Sequence, residues 1–436
     1  MPYLLDLVYL VGLLCVSPWL AYKAFTTGKY RRGLWSKLTG HVPLPVRSPA
    51  SAKLTIWFHG VSVGEIHLLR QIVARYRQRH PNHLCVISTT TDTGYAEANK
   101  HFAELPVFYW PFDFSWAVTR ALRTVRPNLL VLAEGELWPN FLVAAEKRGV
   151  PVAVINGRMS PRSFRNYHRL GPLTRSLLGR ISLIAAQTEE YAANYRALGA
   201  PRVEMTGNVK YDGVQSDRQN AKTRELRRMF DIGDDELVWI AGSTQAPEEE
   251  IAVDIYRRLK PDFPNLRLII VPRQKDRFEK VATSLLQSGL PFVRRSALNG
   301  VSKPPAHSVI LVDTIGELGA AWGLADIAFV GGSLDGKRGG QNMIEPAAYG
   351  AAVVFGPHVW NFTETAARLV ETGAGMQVAD AAMLEVVVRQ LLIYDDERNR
   401  LGSTAREFVR RQQGATEGTL DAMGSLLAHP ALARAG

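Results

Sequence analysis

The chain has 436 residues, of which 46% are hydrophobic and 21% charged, and this composition excludes a disordered protein. Its length exceeds that of one ordinary hydrophobic core, so we expect two domains with appendages. The two cysteines, Cys15 and Cys85, lie in separate apolar segments, which excludes a disulfide framework or cysteine metal cage and fits a reducing compartment. The formal net charge of +11 favours an acidic partner, either an anionic membrane surface or a phosphorylated substrate. The sequence has no RNA-binding aromatic motif, zinc-finger spacing or dense basic tail, so we expect no nucleic acid partner.

The N-terminal segment, residues 2–25, is apolar and carries no charge between Leu7 and Tyr22. No basic residue precedes it, the reverse of a cleaved signal peptide. The basic residues that follow it are Lys23, Lys29, Arg31, Arg32 and Lys37. We predict a membrane anchor with a basic flank at residues 1–30 and the rest of the chain on the cytoplasmic side. The alternative is a buried or interfacial helix that does not span, which Pro18 also fits.

Short apolar segments alternate with helix-length amphipathic segments along the rest of the chain, the pattern of a parallel sheet covered on both faces. The first set of predicted strands is Leu54–Phe58, Leu84–Ser88, Val107–Tyr109, Leu129–Ala133, Val152–Ile155, Leu183–Ala186 and Val203–Thr206. The second set is Leu237–Ala241, Leu266–Val271, Val309–Val312, Ile327–Val330 and Ala352–Phe355. A polar segment, Lys210–Thr223, separates the two sets.

We therefore predict an α/β protein with two Rossmann-like domains, at residues 31–209 and 224–436, joined by a linker at 210–223. Parallel sheets bind ligands at the carboxyl ends of their strands, so a cleft between the domains is the expected site. The pattern is also compatible with last helices that pack back on the first domain.

The first predicted strand leads into Val61–Glu65, where Ser62, Gly64 and Glu65 precede a predicted helix. A carboxylate at the carboxyl edge of a parallel sheet is well placed to act as a general base. Alternatively, Glu65 only complements the dipole of the helix that it begins. The residue pattern does not decide between these two roles.

Further polar residues follow other strands of the first set. Thr91 lies in a hydroxyl-rich loop that either binds substrate oxygens or caps a helix, and capping is the commoner role. Glu134 and Glu136 either bind hydroxyls and tune each other's pKa or lie in a solvated loop. Arg158 begins a run of six arginines that either meets phosphates or forms a solvated helix face.

The second set of strands ends in residues suited to binding a nucleotide. Two glycine-rich segments, Gly331–Ser333 and Gly339–Ala347, can bring backbone amides and a helix N-terminus close to a phosphate. Glu345 can accept hydrogen bonds from ribose hydroxyls. The predicted nucleotide contacts are Ser243, Thr244, Pro272, Arg273, Gly316, Glu317, Gly339, Gly340, Asn342 and Glu345. The histidine spacing contains no HExxH, no repeated HxH and no Asp-rich loop, so no metal is predicted.

Together these segments resemble the Kdo (3-deoxy-D-manno-octulosonic acid) transferase family of lipopolysaccharide synthesis, which are glycosyltransferases of the B fold. The resemblance runs from the N-terminal segment to beyond Gly356 and rests on motifs in a fixed order. These motifs are VSVGE (Val61–Glu65), ELWPN (Glu136–Asn140), LIAAQTEE (Leu183–Glu190), GNVKYD (Gly207–Asp212), AGST (Ala241–Thr244), VPR (Val271–Arg273), GELG (Gly316–Gly319), FVGGSL (Phe329–Leu334) and GPHVWNF (Gly356–Phe362).

The resemblance implies inverting transfer of Kdo from CMP-Kdo to a glucosamine hydroxyl of a lipid A precursor, at the cytoplasmic face of the inner membrane and without a cofactor. Glu65 matches the family's catalytic carboxylate, and Lys210 is implied as a contact near the leaving group. The residues that match the CMP-binding region are Arg273, Gly316, Glu317, Asn342 and Glu345. Those grouped as acceptor-binding or structural are Ser62, Gly64, Thr91, Glu134, Glu136 and Arg158.

Three departures from the family pattern concern the donor. Gln245, Gln274 and Gln341 stand where the family commonly has histidine, and glutamine cannot carry a positive charge toward a phosphate. The open alternatives are a glycosyltransferase of the same fold with another nucleotide-sugar donor and, less favoured, a nucleotide-sugar epimerase. A non-catalytic membrane scaffold is disfavoured because Glu65 is retained.

Overall fold

The structure is a computed structural model that describes residues 2–27, 32–44, 53–298, 304–305 and 307–428. The chain divides into two compact units. One unit comprises Met1–Gly213 together with Gln413–Gly436, and the other comprises Val214–Gln412. The segment predicted as a linker, 210–223, contains the first of the two crossings between units.

The first unit is built on a seven-stranded parallel sheet with the order β3-β2-β1-β4-β5-β6-β7. Its strands are β1 Thr55–His59, β2 Leu84–Thr89, β3 Val107–Tyr109, β4 Leu129–Ala133, β5 Val152–Gly157, β6 Leu183–Ala186 and β7 Val203–Met205. The helices are α1 Pro2–Thr27, α2 Leu34–Thr39, α3 Val63–Arg79, α4 Asp92–His101, α5 Ser115–Val125, α6 Pro139–Glu146, α7 Pro161–Arg169, α8 Pro172–Leu178 and α9 Glu189–Ala197. The strand order reverses between β1 and β4, so the carboxyl ends of these two strands mark the position where such sheets bind ligands.

The second unit repeats this architecture with a seven-stranded parallel sheet in the order β10-β11-β9-β8-β12-β13-β14. Its strands are β8 Leu237–Thr244, β9 Leu266–Pro272, β10 Phe292–Arg294, β11 Val309–Leu311, β12 Ile327–Val330, β13 Ala352–Phe355 and β14 Met376–Gln377. The helices are α10 Ala221–Met229, α11 Glu248–Leu259, α12 Phe278–Ser288, α13 Leu318–Ala321, α14 Ile344–Ala348, α15 Thr363–Glu371, α16 Ala381–Ile393 and α17 Asp395–Gln412. Here the order reverses between β8 and β12.

The last described helix, α18 (Ala415–Ala428), belongs to the first unit. Its apolar residues Leu420, Met423 and Leu426 are buried in the same cluster as Ile66 and Leu69 of α3. Arg79 of α3 also forms an ion pair with Asp421 at 2.6 Å. The C-terminal helix therefore completes the core on one face of the first sheet.

The predicted fold class is confirmed, because both sets of strands form parallel sheets covered by helices. Every predicted strand lies on an observed one, and the strands that the sequence did not reveal are β10 and β14. Both lie at the edges of the second sheet. β10 consists of Phe-Val-Arg and β14 of Met-Gln, so each has at most two consecutive apolar residues, too few to stand out from their surroundings.

The N-terminal segment forms the expected helix, but the predicted membrane-spanning anchor at residues 1–30 is not supported. No helix within the described residues is both long and apolar enough to cross a bilayer. Asp6 is buried, and its carboxylate accepts hydrogen bonds from the Ser115 amide at 2.8 Å and the Asn140 side chain at 3.1 Å. This end of α1 is thus held by polar contacts with α5 and α6. Of the predicted basic flank, Lys29 and Arg31 lie outside the described residues.

Candidate active site

Glu65 lies in the first turn of α3, just beyond the carboxyl end of β1. Its Oε2 accepts a hydrogen bond from the Val61 amide at 2.7 Å, and its Oε1 accepts one from the Ser62 hydroxyl at 2.9 Å. The Ser62 Oγ in turn accepts the Glu65 amide at 3.4 Å. This reciprocal capping box begins the helix and fixes the carboxylate at the edge of the sheet.

Burial raises the pKa of the Glu65 carboxyl to about 7, although the Val61 and Ser62 hydrogen bonds oppose the rise. The nearby carboxylates of Glu134 and Glu136 raise this pKa further. A base whose pKa lies near neutrality combines a substantial ionised fraction with useful basicity. The Glu65 carboxylate can therefore both cap α3 and act as a general base. The two roles that the sequence left as alternatives do not exclude each other.

The loop that carries Glu65 is supported by α4. Thr91 is the N-cap of this helix, accepting the Gly94 amide at 3.1 Å, and its hydroxyl donates to the Val61 carbonyl at 3.0 Å. Its contacts are those of a structural residue. Gly64 is exposed, and an added Cβ would have no neighbour closer than the Ser62 Oγ at 3.8 Å. The space around Gly64 therefore does not demand glycine.

Glu134 lies at the end of β4, the neighbour of β1, and adopts the left-handed conformation with φ of 58°. The Lys210 Nζ donates to its Oε1 at 3.2 Å. The Asn156 side chain lies 3.5 Å from the same oxygen. A non-glycine residue with positive φ costs conformational energy and is kept where the surroundings fix it, often at a functional site.

A buried amide network joins Glu134 to Lys210 and was not recognised from the sequence. Asn156 is fully buried, also has positive φ, and its Oδ1 accepts the Val209 amide at 3.0 Å. The Gln187 side chain donates to the Asn156 carbonyl at 2.8 Å and accepts a hydrogen bond from Asn208 at 3.2 Å. Gln187 and Asn208 lie in two of the family-like motifs, whereas Asn156 was marked only by its position at a strand end.

The other two residues that were predicted to bind the acceptor or to be structural are Glu136 and Arg158. Glu136 is half-buried, and burial raises the pKa of its carboxyl. The side chain of Arg158 is exposed, and its backbone carbonyl accepts a hydrogen bond from the Tyr195 hydroxyl at 3.1 Å. In the arginine-rich segment that follows, α7 has no buried residue, which fits a solvated helix face.

In the second unit, Ser243 and Thr244 form the last two positions of β8, at the point where the strand order reverses. Ser243 has a φ of 54°, in the left-handed region. The Thr244 carbonyl accepts the Arg273 amide at 3.0 Å, which joins the ends of β8 and β9 just after Pro272. Positive φ is uncommon for serine, so this conformation at the edge of the sheet indicates a position that the surrounding structure fixes, as at many functional sites.

The expected role of Gly331–Ser333 as a phosphate-binding loop is wrong, because a carboxylate of the same unit already occupies its amides. The buried Glu248 accepts the amides of Gly332 at 2.6 Å, Ser333 at 2.8 Å and Leu334 at 3.0 Å. It also accepts the Gln245 amide at 3.0 Å. Successive backbone amides form an anion-binding concavity, and here the anion is a side chain. This role of Glu248 was not recognised from the sequence.

The second glycine segment is shaped by a tryptophan. Gly339 and Gly340 have φ of 79° and 80°. A Cβ added at Gly339 would lie 2.2 Å from the Trp360 indole nitrogen. The Gly340 amide donates to the Gly332 carbonyl at 2.7 Å. Close ring packing and positive φ thus both require glycine at position 339.

Three of the predicted donor residues come together at the N-terminus of α14. The Asn342 side chain donates to Glu345 Oε1 at 3.0 Å and caps the Ile344 amide at 3.1 Å. Burial raises the pKa of the Glu345 carboxyl, and the positive charge of Arg273 opposes this rise. The side chain of Arg273 is exposed, so it is free to reach a phosphate from the end of β9.

Glu317 and Gly316, which were also predicted to contact the nucleotide, differ in their surroundings. The Glu317 carboxylate accepts hydrogen bonds from Arg295, at 2.8 Å to Nη2, and from the Thr314 hydroxyl. Gly316 is exposed, with φ of 90° and nothing within 4 Å of an added Cβ. The backbone at 316 is therefore open to a ligand, whereas the Glu317 carboxylate is already paired.

The three glutamines differ in exposure. Gln245 is buried beside Glu248, Gln274 is exposed next to Arg273, and Gln341 is half-buried near Gly332. Each of them directly follows a predicted donor residue in the sequence. Glutamine cannot carry a positive charge, whereas Arg273, directly before Gln274, is a cation at this edge.

Comparison with known proteins identifies the family. A family model described as 3-Deoxy-D-manno-octulosonic-acid transferase (kdotransferase) matches residues 31–213. A 3-deoxy-D-manno-octulosonic acid transferase from Haemophilus influenzae is 36% identical over 370 residues, which cover 84% of this chain and 86% of that protein. One from Bordetella pertussis is 33% identical, covering 86% of this chain and 88% of that protein.

Among solved structures, UDP-GlcNAc 2-epimerase from Neisseria meningitidis has a TM-score of 0.58 at 14% identity, covering 86% of this chain and all of that one. This likeness concerns the fold alone. The sequence relationship is closer and extends over both units. This chain therefore belongs to the 3-deoxy-D-manno-octulosonic acid transferase family of glycosyltransferases.

Proposed function

We propose that the protein transfers Kdo from CMP-Kdo to a glucosamine hydroxyl of a lipid A precursor, with inversion at the anomeric carbon. The observation that carries the proposal is the Glu65 carboxylate, fixed at the end of β1 with a pKa raised to about 7. It is supported by the names of relatives at 33% and 36% identity, which are Kdo transferases.

In this mechanism Glu65 accepts the proton of the acceptor hydroxyl as its oxygen attacks the anomeric carbon of Kdo. The bond between that carbon and the CMP phosphate breaks, and CMP leaves with the bonding electron pair. A single displacement of this kind inverts the anomeric centre. Glu134 is proposed to orient the acceptor beside the base, and Lys210, paired with it at 3.2 Å, is proposed as a contact near the leaving group.

On the donor side, Arg273 is proposed to neutralise the charge that develops on the leaving phosphate. Asn342 and Glu345, joined by a hydrogen bond of 3.0 Å, would hold the nucleotide hydroxyls at the N-terminus of α14. The open backbone at Gly316 is proposed as a further contact. Because a guanidinium can stabilise the departing anion, this proposal includes no cofactor beyond the donor.

A second donor remains a specific alternative because of Gln245, Gln274 and Gln341. If the histidines that the family commonly has at these positions bind the CMP phosphate, their replacement favours a different nucleotide sugar. The nucleotide released during turnover distinguishes the two cases.

We further propose that the protein works at the cytoplasmic face of the inner membrane, with α1 lying on the bilayer surface. The helix exposes Leu14 by 70% and Phe25 by 81%, and Trp35 of α2 is 74% exposed. An interfacial helix buries such side chains at the headgroup boundary without spanning. Liposome flotation tests this: replacing Leu14 and Phe25 by glutamate should release the protein, whereas a double variant that floats like the wild type argues against it.

The activity is tested by incubating the protein with CMP-Kdo and a tetraacylated lipid A precursor, followed by mass spectrometry of the lipid and identification of the released nucleotide. We expect a Kdo adduct and CMP. Glu65→Gln should abolish transfer while leaving CMP binding nearly intact, because the amide keeps the capping geometry but cannot accept the proton.

The matched control is Glu104→Gln, which removes an exposed carboxylate of the same unit that lies outside the family-like motifs. It should retain wild-type activity. Release of UDP with no CMP would exclude the Kdo donor, and a Glu65→Gln variant within about tenfold of wild type would exclude the general-base role.

A further inference from the structure

Two histidines and a glutamate from different helices converge on the surface of the first unit, outside the residues proposed for transfer. His67 lies on α3, and Glu97 and His101 lie one turn apart on α4. The His101 Nε2 is 2.7 Å and the His67 Nε2 is 3.6 Å from Glu97 Oε1. One ligand atom of each residue lies within 4.8 Å of those of the other two.

These distances fit a small transition-metal ion. Zinc binds imidazole nitrogen and carboxylate oxygen at about 2.0–2.2 Å, which places tetrahedral ligand atoms roughly 3.4 Å apart. The present separations of 2.7 and 3.6 Å lie on either side of that value, so small side-chain rotations would admit the ion. Two imidazoles with one carboxylate suit zinc better than magnesium or calcium, which prefer oxygen ligands.

The side chains of the cluster differ in exposure. The His67 side chain is 48% exposed, whereas those of Glu97 and His101 are 23% and 17% exposed. Two cations oppose a bound ion. Lys100 has its Nζ 4.0 Å from Glu97, but its side chain is 71% exposed and can turn into solvent. The exposed Arg70 acts electrostatically on His67. The half-open side at His67 is where the solvent ligand would bind.

We propose that His67, Glu97 and His101 form a structural zinc site that clips α3 to α4. Both helices support the loop of the candidate base, because α3 carries Glu65 in its first turn and the N-cap of α4, Thr91, bonds the Val61 carbonyl. The clip uses His67 from one helix and a fixed Glu97–His101 pair from the other. It takes no part in the transfer chemistry and does not depend on the proposed donor or acceptor.

The test is a zinc titration of tag-free, full-length protein in competition with a chromophoric chelator. We expect one zinc ion per chain and affinity at least about tenfold weaker in each of His67→Gln, Glu97→Gln and His101→Gln, since each loses a ligand. The matched control is His168→Gln, which removes an exposed helical histidine of the same unit and should bind as the wild type does. Cobalt should give a tetrahedral absorption spectrum in the wild type and lose it in His101→Gln.

Thermal unfolding provides a second measurement, because an ion that binds only the folded state raises the melting temperature. Zinc should raise it in the wild type and in His168→Gln but not in His101→Gln. Equal zinc affinity in the wild type and all three ligand variants would overturn the site. Loss of binding in His101→Gln with wild-type affinity in His67→Gln would overturn the clip between the helices.

Discussion

Replacing Glu248 by glutamine should loosen the glycine loop at the end of β12. The two carboxylate oxygens share four backbone amides: Oε2 accepts those of Gln245 and Gly332, and Oε1 accepts those of Ser333 and Leu334. Glutamine replaces one oxygen by an amide group that cannot accept a hydrogen bond, so two buried N–H groups lose their partner. Each such loss costs about 1–3 kcal/mol, which makes local opening easier by about 2–6 kcal/mol.

Hydrogen–deuterium exchange of peptides covering the loop measures this directly, because the exchange rate of a protected amide follows its opening free energy. An easing of about 2–6 kcal/mol corresponds to exchange roughly 30-fold to 10⁴-fold faster, since about 1.4 kcal/mol is a factor of ten. Glu371→Gln, at an exposed position of α15, is the control and should leave the loop unchanged. Exchange of the loop amides at the wild-type rate in Glu248→Gln would refute the assignment of this carboxylate as their acceptor.

Three further predictions concern other residues. The kcat/KM of transfer should fall tenfold per pH unit below about 7, because burial raises the pKa of Glu65 to about 7 and only its ionised form accepts a proton; an acid limb centred near 4.5 would contradict this. Gly339→Ala should lower CMP affinity and the melting temperature, because its Cβ would lie 2.2 Å from the Trp360 ring and alanine is strained at a φ of 79°; adding Trp360→Ala removes only the clash, so the melting temperature should stay below that of Trp360→Ala alone. Asp6→Leu should destabilise the first unit by about 2–4 kcal/mol, measured by urea unfolding, since the half-buried Ser115 amide and the buried Asn140 side chain lose an acceptor; a change below about 0.5 kcal/mol would show that α1 is not held there.

The sequence predicted the two sheets because their central strands are continuous apolar segments, a signal that does not depend on distant partners. The placement of Glu65 was also readable, since a serine followed three residues later by glutamate at a helix start is a capping signature. What this pattern could not supply is the raised pKa of Glu65, which follows from burial and from Glu134 and Glu136 on another loop.

Contacts between distant segments explain what sequence reasoning missed. Glu248 is separated by 84 residues from Gly332, whose amide donates a hydrogen bond to it. Nothing in the local sequence therefore indicates that the amides of this glycine loop already have an acceptor. His67 lies on a different helix from Glu97 and His101, and no local spacing joins them. Asp6 interrupts the apolar N-terminal segment, and nothing near it in the sequence indicates that its carboxylate is a buried acceptor for α5 and α6.

The return of α18 to the first unit sets an order of events during synthesis. The buried residues Leu420, Met423 and Leu426 leave the ribosome after the strands of both sheets, and the cluster around α3 is incomplete until they do. Val214–Gln412 emerges as one uninterrupted segment before them, so the second unit can fold first. A nascent chain stalled shortly before Ala415 would thus carry a complete second unit and an incomplete first unit, in which the apolar residues of α3 lack the buried side chains of α18.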